Sequence, residues 1–125
     1  MSADIHLVLD ETAMVVVGTG NKLASGLVDR AHTDAGWHLY APAAAVVEAD
    51  RARPGTGEHL ASLPGMTFVD LDLPAAPALG RDITWGQAHA RHAAAPSPDR
   101  PDGAFIVTAD PQRWAGEPVR LFDLT

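Results

Sequence analysis

Three acids stand where apolar runs stop or where acids are out of place. Asp10 follows Ile5-His6-Leu7-Val8-Leu9, and Asp110 follows Ile106-Val107-Thr108-Ala109. Glu48 interrupts an otherwise apolar stretch, Ala44-Ala45-Val46-Val47-Glu48-Ala49. Carboxylates gathered at one point repel, and each raises its neighbours' pKa. A hard divalent cation such as Mg²⁺ or Mn²⁺ relieves this, because it favours oxygen ligands. Such a metal activates water and offsets the charge of an in-line phosphoryl displacement. Each acid also has a plainer use: Asp10 as a helix N-cap, Asp110 as a turn residue before Pro111, Glu48 as a solvent-facing helix acid.

Positioning these residues needs strands alternating with helices. Ile5–Leu9 reads as a buried strand, and Thr12–Val17 as a short helix or turn punctuated by Gly18 and Gly20. Asn21–Ala35 reads as a helix with Leu23, Leu27 and Ala31 on one face, Val28 beside them and Gly36 as its C-cap. Trp37–Ala41 is a second strand, followed by a helix from Pro42 to about Arg53 and a short helix over Glu58–Leu63. Met66–Asp70 is a third strand, and the Pro-broken stretch Leu73–Gly80 reads as loosely structured. Thr84 caps a helix from Trp85 to Ala95, and residues 96–103 form an exposed loop. Ala104–Thr108 is a fourth strand, Pro111–Trp114 one helical turn, and Pro118–Phe122 a final strand. This alternation predicts a three-layer α/β/α sandwich with a mostly parallel sheet, in one domain spanning 1–125. Ligands of such sheets bind beyond the carboxyl ends of the strands, where Asp10 and Asp110 fall.

Composition narrows the chemistry. The chain has 125 residues, 46% hydrophobic and 20% charged, an ordinary globular balance. No cysteine is present, which excludes disulfides, thiolate metal sites and Cys nucleophiles. The net charge of -7, with Lys22 as the one lysine, excludes a broadly basic nucleic-acid binder. It also leaves no lysine after the last strand, which a receiver-like signalling domain needs. No signal peptide or apolar run long enough for a membrane span is evident, so the expected setting is the cytoplasm.

The ordered pieces Val8-Leu9-Asp10-Glu11-Thr12-Ala13, Ala45-Val46-Val47-Glu48-Ala49 and Ile106-Val107-Thr108-Ala109-Asp110 resemble the motifs of a PIN domain, the nuclease fold of VapC-type toxins. The resemblance covers nearly the whole chain. It implies a five-stranded sheet in the order 3-2-1-4-5. It also implies a Mg²⁺- or Mn²⁺-dependent endoribonuclease with Asp10, Glu48 and Asp110 as catalytic metal ligands, supported by Thr12 and Thr108. RNA as substrate, an antitoxin protein as partner and a homodimer follow from the same resemblance. The apolar stretch Leu71–Leu79 adds to the expectation of a dimer.

The chain departs from that pattern where the family places a further Asp, at the start of the helix before strand 4; here the position holds Gln87. A neutral amide offers one carbonyl oxygen and no charge. Asp82 would substitute only if its loop folded inward. His89 and His92, three apart, share a helical face; such a pair suits zinc or another transition metal, and is more commonly a packing or surface feature. Arg51, Arg53, Arg81, Arg91 and Arg113 are candidate phosphate contacts or solvated surface residues. Trp37, Trp85 and Trp114 are candidates for base stacking or for packing. Gln87 and the scarcity of basic residues favour an alternative: a catalytically degenerate PIN-like module that binds a protein partner or dimerises.

Overall fold

The short apolar runs become five strands, all parallel to their neighbours. The computed structural model describes residues 4–79 and 83–125; Gly80, Arg81 and Asp82 lie outside the described residues. In chain order the strands are β1 (Ile5–Leu9), β2 (Trp37–Pro42), β3 (Met66–Val69), β4 (Phe105–Thr108) and β5 (Arg120–Asp123). The helices are α1 (Glu11–Val17), α2 (Lys22–Thr33), α3 (Ala43–Ala52), α4 (Thr56–Ala61) and α5 (Trp85–Ala94). Two 3₁₀ turns, Ala76–Leu79 and Pro111–Trp114, complete the set among the described residues. The sheet order is β3-β2-β1-β4-β5, with every pairing parallel.

Parallel strands need crossover connections, and these place helices on the faces of the sheet. Alternation along β1 then divides the core. Leu7 and Leu9 join Leu39, Ala41 and Val107 on one face, under Met14, Val17, Leu27, Val28 and Leu60. Val8 and Ile106 join Ala90, Ala93, Ala94 and Trp114 on the other. Burying one such Leu, Ile or Val side chain contributes about 1.5–3 kcal/mol.

The central strand β1 lies between β2 and β4. The chain moves one way from β1 to β2 and β3, and the other way to β4 and β5. A crevice opens at the carboxyl ends of strands at this type of reversal. Asp10 extends the ladder there, its N–H donating to the Val107 carbonyl at 3.1 Å.

Several local expectations shift by a few residues. Gly36 is not the cap of α2: Asp34 is, and it also accepts the Gly36 N–H at 2.9 Å, so the aspartate side chain supplies the stop. Leu23 is 52% exposed, because the buried stripe of α2 is centred on Ala24, Leu27 and Val28, and Leu23 lies at its rim. Helix α4 starts at Thr56 rather than Glu58, since Gly55 at φ 94 reverses the chain immediately after Pro54. The stretch expected to be loose has its own turn: Asp72 Oδ1 accepts from Ala75 N at 3.0 Å, and Leu79 is buried behind it. Strand β5 sits two residues later in its start and one in its end than Pro118–Phe122.

Candidate active site

Asp10 is fully buried at the carboxyl end of β1. It caps α1: Oδ1 accepts from Ala13 N at 2.9 Å and from the Thr12 hydroxyl at 2.6 Å. Oδ2 accepts from the indole Nε1 of Trp114 at 2.9 Å. The capping role and the strand-end role are therefore one placement. A cap must sit where a strand hands over to a helix, and so must a residue facing the crevice.

Thr12 and Thr108 tie the two strand ends together. Because Thr12 gives its proton to Asp10, the Thr108 hydroxyl is the donor across their 3.2 Å contact. Thr12 Oγ1 also accepts from Ala109 N at 2.9 Å, and Thr108 Oγ1 from Asp110 N at 3.0 Å. The loop carrying Asp110 is thus fixed by hydroxyls. Its carboxylate is exposed and makes no hydrogen bond among the described residues.

Glu48 is half-buried on α3, but its nearest carboxyl partner is Glu11, the first residue of α1. Burial first, and then the neighbouring Glu48 carboxyl, pushes the Glu11 carboxyl up from 4.5 to about 7; Arg113 opposes the shift, and the charge of Asp10 adds to it. Arg113 lies 2.8 Å from Glu11 Oε1, in an orientation that forms an ion pair without an aligned hydrogen bond. Among the described residues, Glu48 Oε1 is buried with no hydrogen-bond donor, and Glu11 Oε1 has only its ion pair with Arg113. Gly86 makes room for Glu48, since a Cβ on Gly86 would collide with Glu48 Oε1 and come within 2.9 Å of the Ala45 Cα.

Gln87 is buried. Its Nε2 donates to the Arg113 carbonyl at 2.8 Å. His89 is fully buried and His92 exposed; Ala44 N donates to His89 Nδ1 at 3.2 Å, and burial pulls the His89 pKa down. The shared helical face does not make these two a ligand pair, because α3 already holds one of them. Asp82 and Arg81 lie outside the described residues. Arg51 and Arg53 are exposed, while Arg91 pairs with Glu117 at 3.0 Å.

No protein-family model matches this chain. No curated protein matches it either.

The crevice acids are hard oxygen donors, but Asp10, Glu11 and Glu48 do not bring one ligand atom each within 4.8 Å of one another, and both Asp10 oxygens accept hydrogen bonds. Among the described residues, Glu48 Oε1 is the one of these carboxylate oxygens that is buried with neither a donor nor an ion-pair partner. Residue types and spacing alone do not single out Glu11; its one signal is a second acid directly after Asp10, in the first turn of a helix. Asp10, Glu48 and Asp110 do not form a compact ligand group. Among the described residues, the group whose ligand atoms all lie within 4.8 Å of one another is Asp4, His6 and His38, at the opposite end of the sheet. Beside Glu48 a groove of about 480 Å³ runs between Ala44, Val47, Arg51, Leu71 and Trp85. Trp85 is 64% exposed there. Trp114, in contrast, is buried, and Trp37 lies under the Arg30 guanidinium at 4.5 Å.

Among the described residues no helix is long and apolar enough to cross a membrane.

Proposed function

We propose that the chain is a Mg²⁺- or Mn²⁺-dependent endoribonuclease of PIN type, acting in the cytoplasm. The observation that carries this reading is Glu48 Oε1, buried with no hydrogen-bond partner among the described residues, together with Glu11 and the capped carboxylate of Asp10 at the sheet's switch point. Asp10 is held rigidly by Trp114, Thr12 and Ala13, so it would present a fixed ligand edge. Glu11 and Glu48 would supply the remaining protein oxygens, with Asp110 at the crevice rim. A bound Mg²⁺ or Mn²⁺ would activate water and offset charge on the phosphate under attack. Trp85 would stack on a base, and Arg51 would meet the phosphate backbone, along the groove beside Glu48. Exposed Leu71 and Leu73 support a homodimer, which light scattering would test.

The test is calorimetry with Mn²⁺ on the native chain and on Glu48→Gln, followed by incubation with mixed RNA with and without a chelator. The expected result is one Mn²⁺ per chain, at least tenfold weaker binding in the variant, and chelator-sensitive cleavage. No Mn²⁺ heat would sink the reading.

A second reading has its own observation. Arg113 occupies the cationic role beside Glu11, and Gln87 is committed to a backbone carbonyl. These favour a catalytically degenerate PIN-like module that binds an antitoxin-like protein partner or a second copy. Mn²⁺ binding with RNA left intact across varied substrates would favour it.

A further inference from the structure

At the amino-terminal edge of the sheet, far from the acids of the crevice, two histidines face each other across neighbouring strands. His6 on β1 is the register partner of His38 on β2. In parallel strands such partners project from the same face. Their rings stack with centroids 4.7 Å apart and planes 15° from parallel. Asp4 stands immediately before β1, and its Oδ2 lies 3.0 Å from His38 Nε2. One ligand atom from each of the three falls within 4.8 Å of the others.

We infer that Asp4, His6 and His38 bind a single borderline transition-metal ion of the zinc class. Two imidazoles and one carboxylate suit such an ion better than Mg²⁺. Zinc lies about 2.0–2.2 Å from nitrogen and oxygen ligands, so tetrahedral ligand atoms stand roughly 3.4 Å apart. The His38–Asp4 spacing of 3.0 Å is already close to that value. The other nitrogen of His6 has a partner of the kind that orients a ligating imidazole: Nδ1 lies 2.9 Å from the Tyr40 hydroxyl, leaving Nε2 to bind the ion. Three protein ligands leave a fourth position, and Asp4 and His6 border a cavity of about 210 Å³ shared with Arg100, Asp102 and Arg120. The carbonyls, carboxylates and waters reachable from that cavity would complete the shell. This site is independent of the crevice acids.

The test uses Zn²⁺ by calorimetry, and Co²⁺ by visible absorption, on the full chain. The expected result is one ion per chain with micromolar affinity and a Co²⁺ spectrum of tetrahedral intensity. Asp4→Asn, at an exposed position that leaves folding intact, should weaken binding at least tenfold, and His38→Ala should abolish it. Glu48→Gln should leave it unchanged. Absence of Zn²⁺ binding overturns the inference and leaves a histidine–aspartate ion pair beside a stacked ring. Binding of equal strength in the native chain and Asp4→Asn also overturns it, whether or not His38→Ala folds.

Discussion

The side-chain amide of Gln87 donates from Nε2 to the backbone carbonyl of Arg113 at 2.8 Å, joining the first turn of α5 to the 3₁₀ turn behind the acids. That turn carries both Arg113, which pairs with Glu11, and Trp114, which pairs with Asp10. Gln87 is thus a donor propping the back wall of the crevice. An aspartate in its place would turn a carboxylate toward a carbonyl. We expect Gln87→Asp to cost about 1–3 kcal/mol, the usual penalty for a buried polar group left without its partner. Urea unfolding without added metal measures it. Native stability in the variant would show that the turn does not depend on this bond.

Asp10 and Trp114 form the second link. Asparagine preserves the cap at Oδ1 but sets an NH₂ against the indole N–H, two donors with no acceptor between them. Asp10→Asn should therefore lose about 1–3 kcal/mol. Trp114→Phe introduced into that variant should cost at least ~1 kcal/mol less than in the native chain, since the two groups share one interaction. Additive losses in the double-mutant cycle would contradict the link.

Glu11 makes stability depend on pH in a defined direction. Its carboxyl titrates near 7 in the folded chain against 4.5 ordinarily. Between those values the folded state holds a proton that the unfolded state has released. Stability from this group therefore falls as pH rises from about 4.5 to about 7, and the full cost persists above. Glu11→Gln should be stabilised relative to the native chain by ~1–3 kcal/mol at pH 8, since a tenfold change in acid dissociation corresponds to ~1.4 kcal/mol. The gap should close at pH 4. Parallel native and variant curves across that range would count against it.

Trp85 is exposed on the groove beside Glu48. Trp85→Ala should change stability by less than about 0.5 kcal/mol. Removing one base-stacking surface should weaken single-stranded RNA binding about tenfold or more, since such stacking is worth ~1–3 kcal/mol per base. Fluorescence anisotropy with a labelled RNA reads it directly. Equal affinity in both proteins would remove Trp85 from the RNA path.

The strand runs, the helix between Trp85 and the Ala-rich end of α5, and the strand-end position of Asp10 are all legible in the sequence. Period and turn chemistry act locally: apolar runs of four to six residues bounded by Gly, Pro, Asp or Asn can hardly be read otherwise. The cap at Asp10 is legible for the same reason. The boundaries of α4 and the exposed placement of Leu23 are not, because they depend on Gly55 reversing the chain and on which stripe of α2 meets the sheet.

The amino-acid sequence by itself determined an alternating α/β chain with acids at its strand ends and no cysteine chemistry. Only the tertiary structure decided which acids meet. Glu11 and Glu48 lie 37 positions apart and Asp10 and Trp114 lie 104 apart, and no local pattern pairs residues over such separations. Packing α3 against α5 at Gly86 sets where the Glu48 carboxylate rests, and the 3₁₀ turn held by Gln87 sets where Arg113 and Trp114 reach. His6 and His38 are unremarkable in the sequence for the same reason: the parallel register of β1 and β2 makes them neighbours. Side-chain chemistry is carried by residue type, but a site is a set of distances, and those come from the packing of elements far apart in the chain.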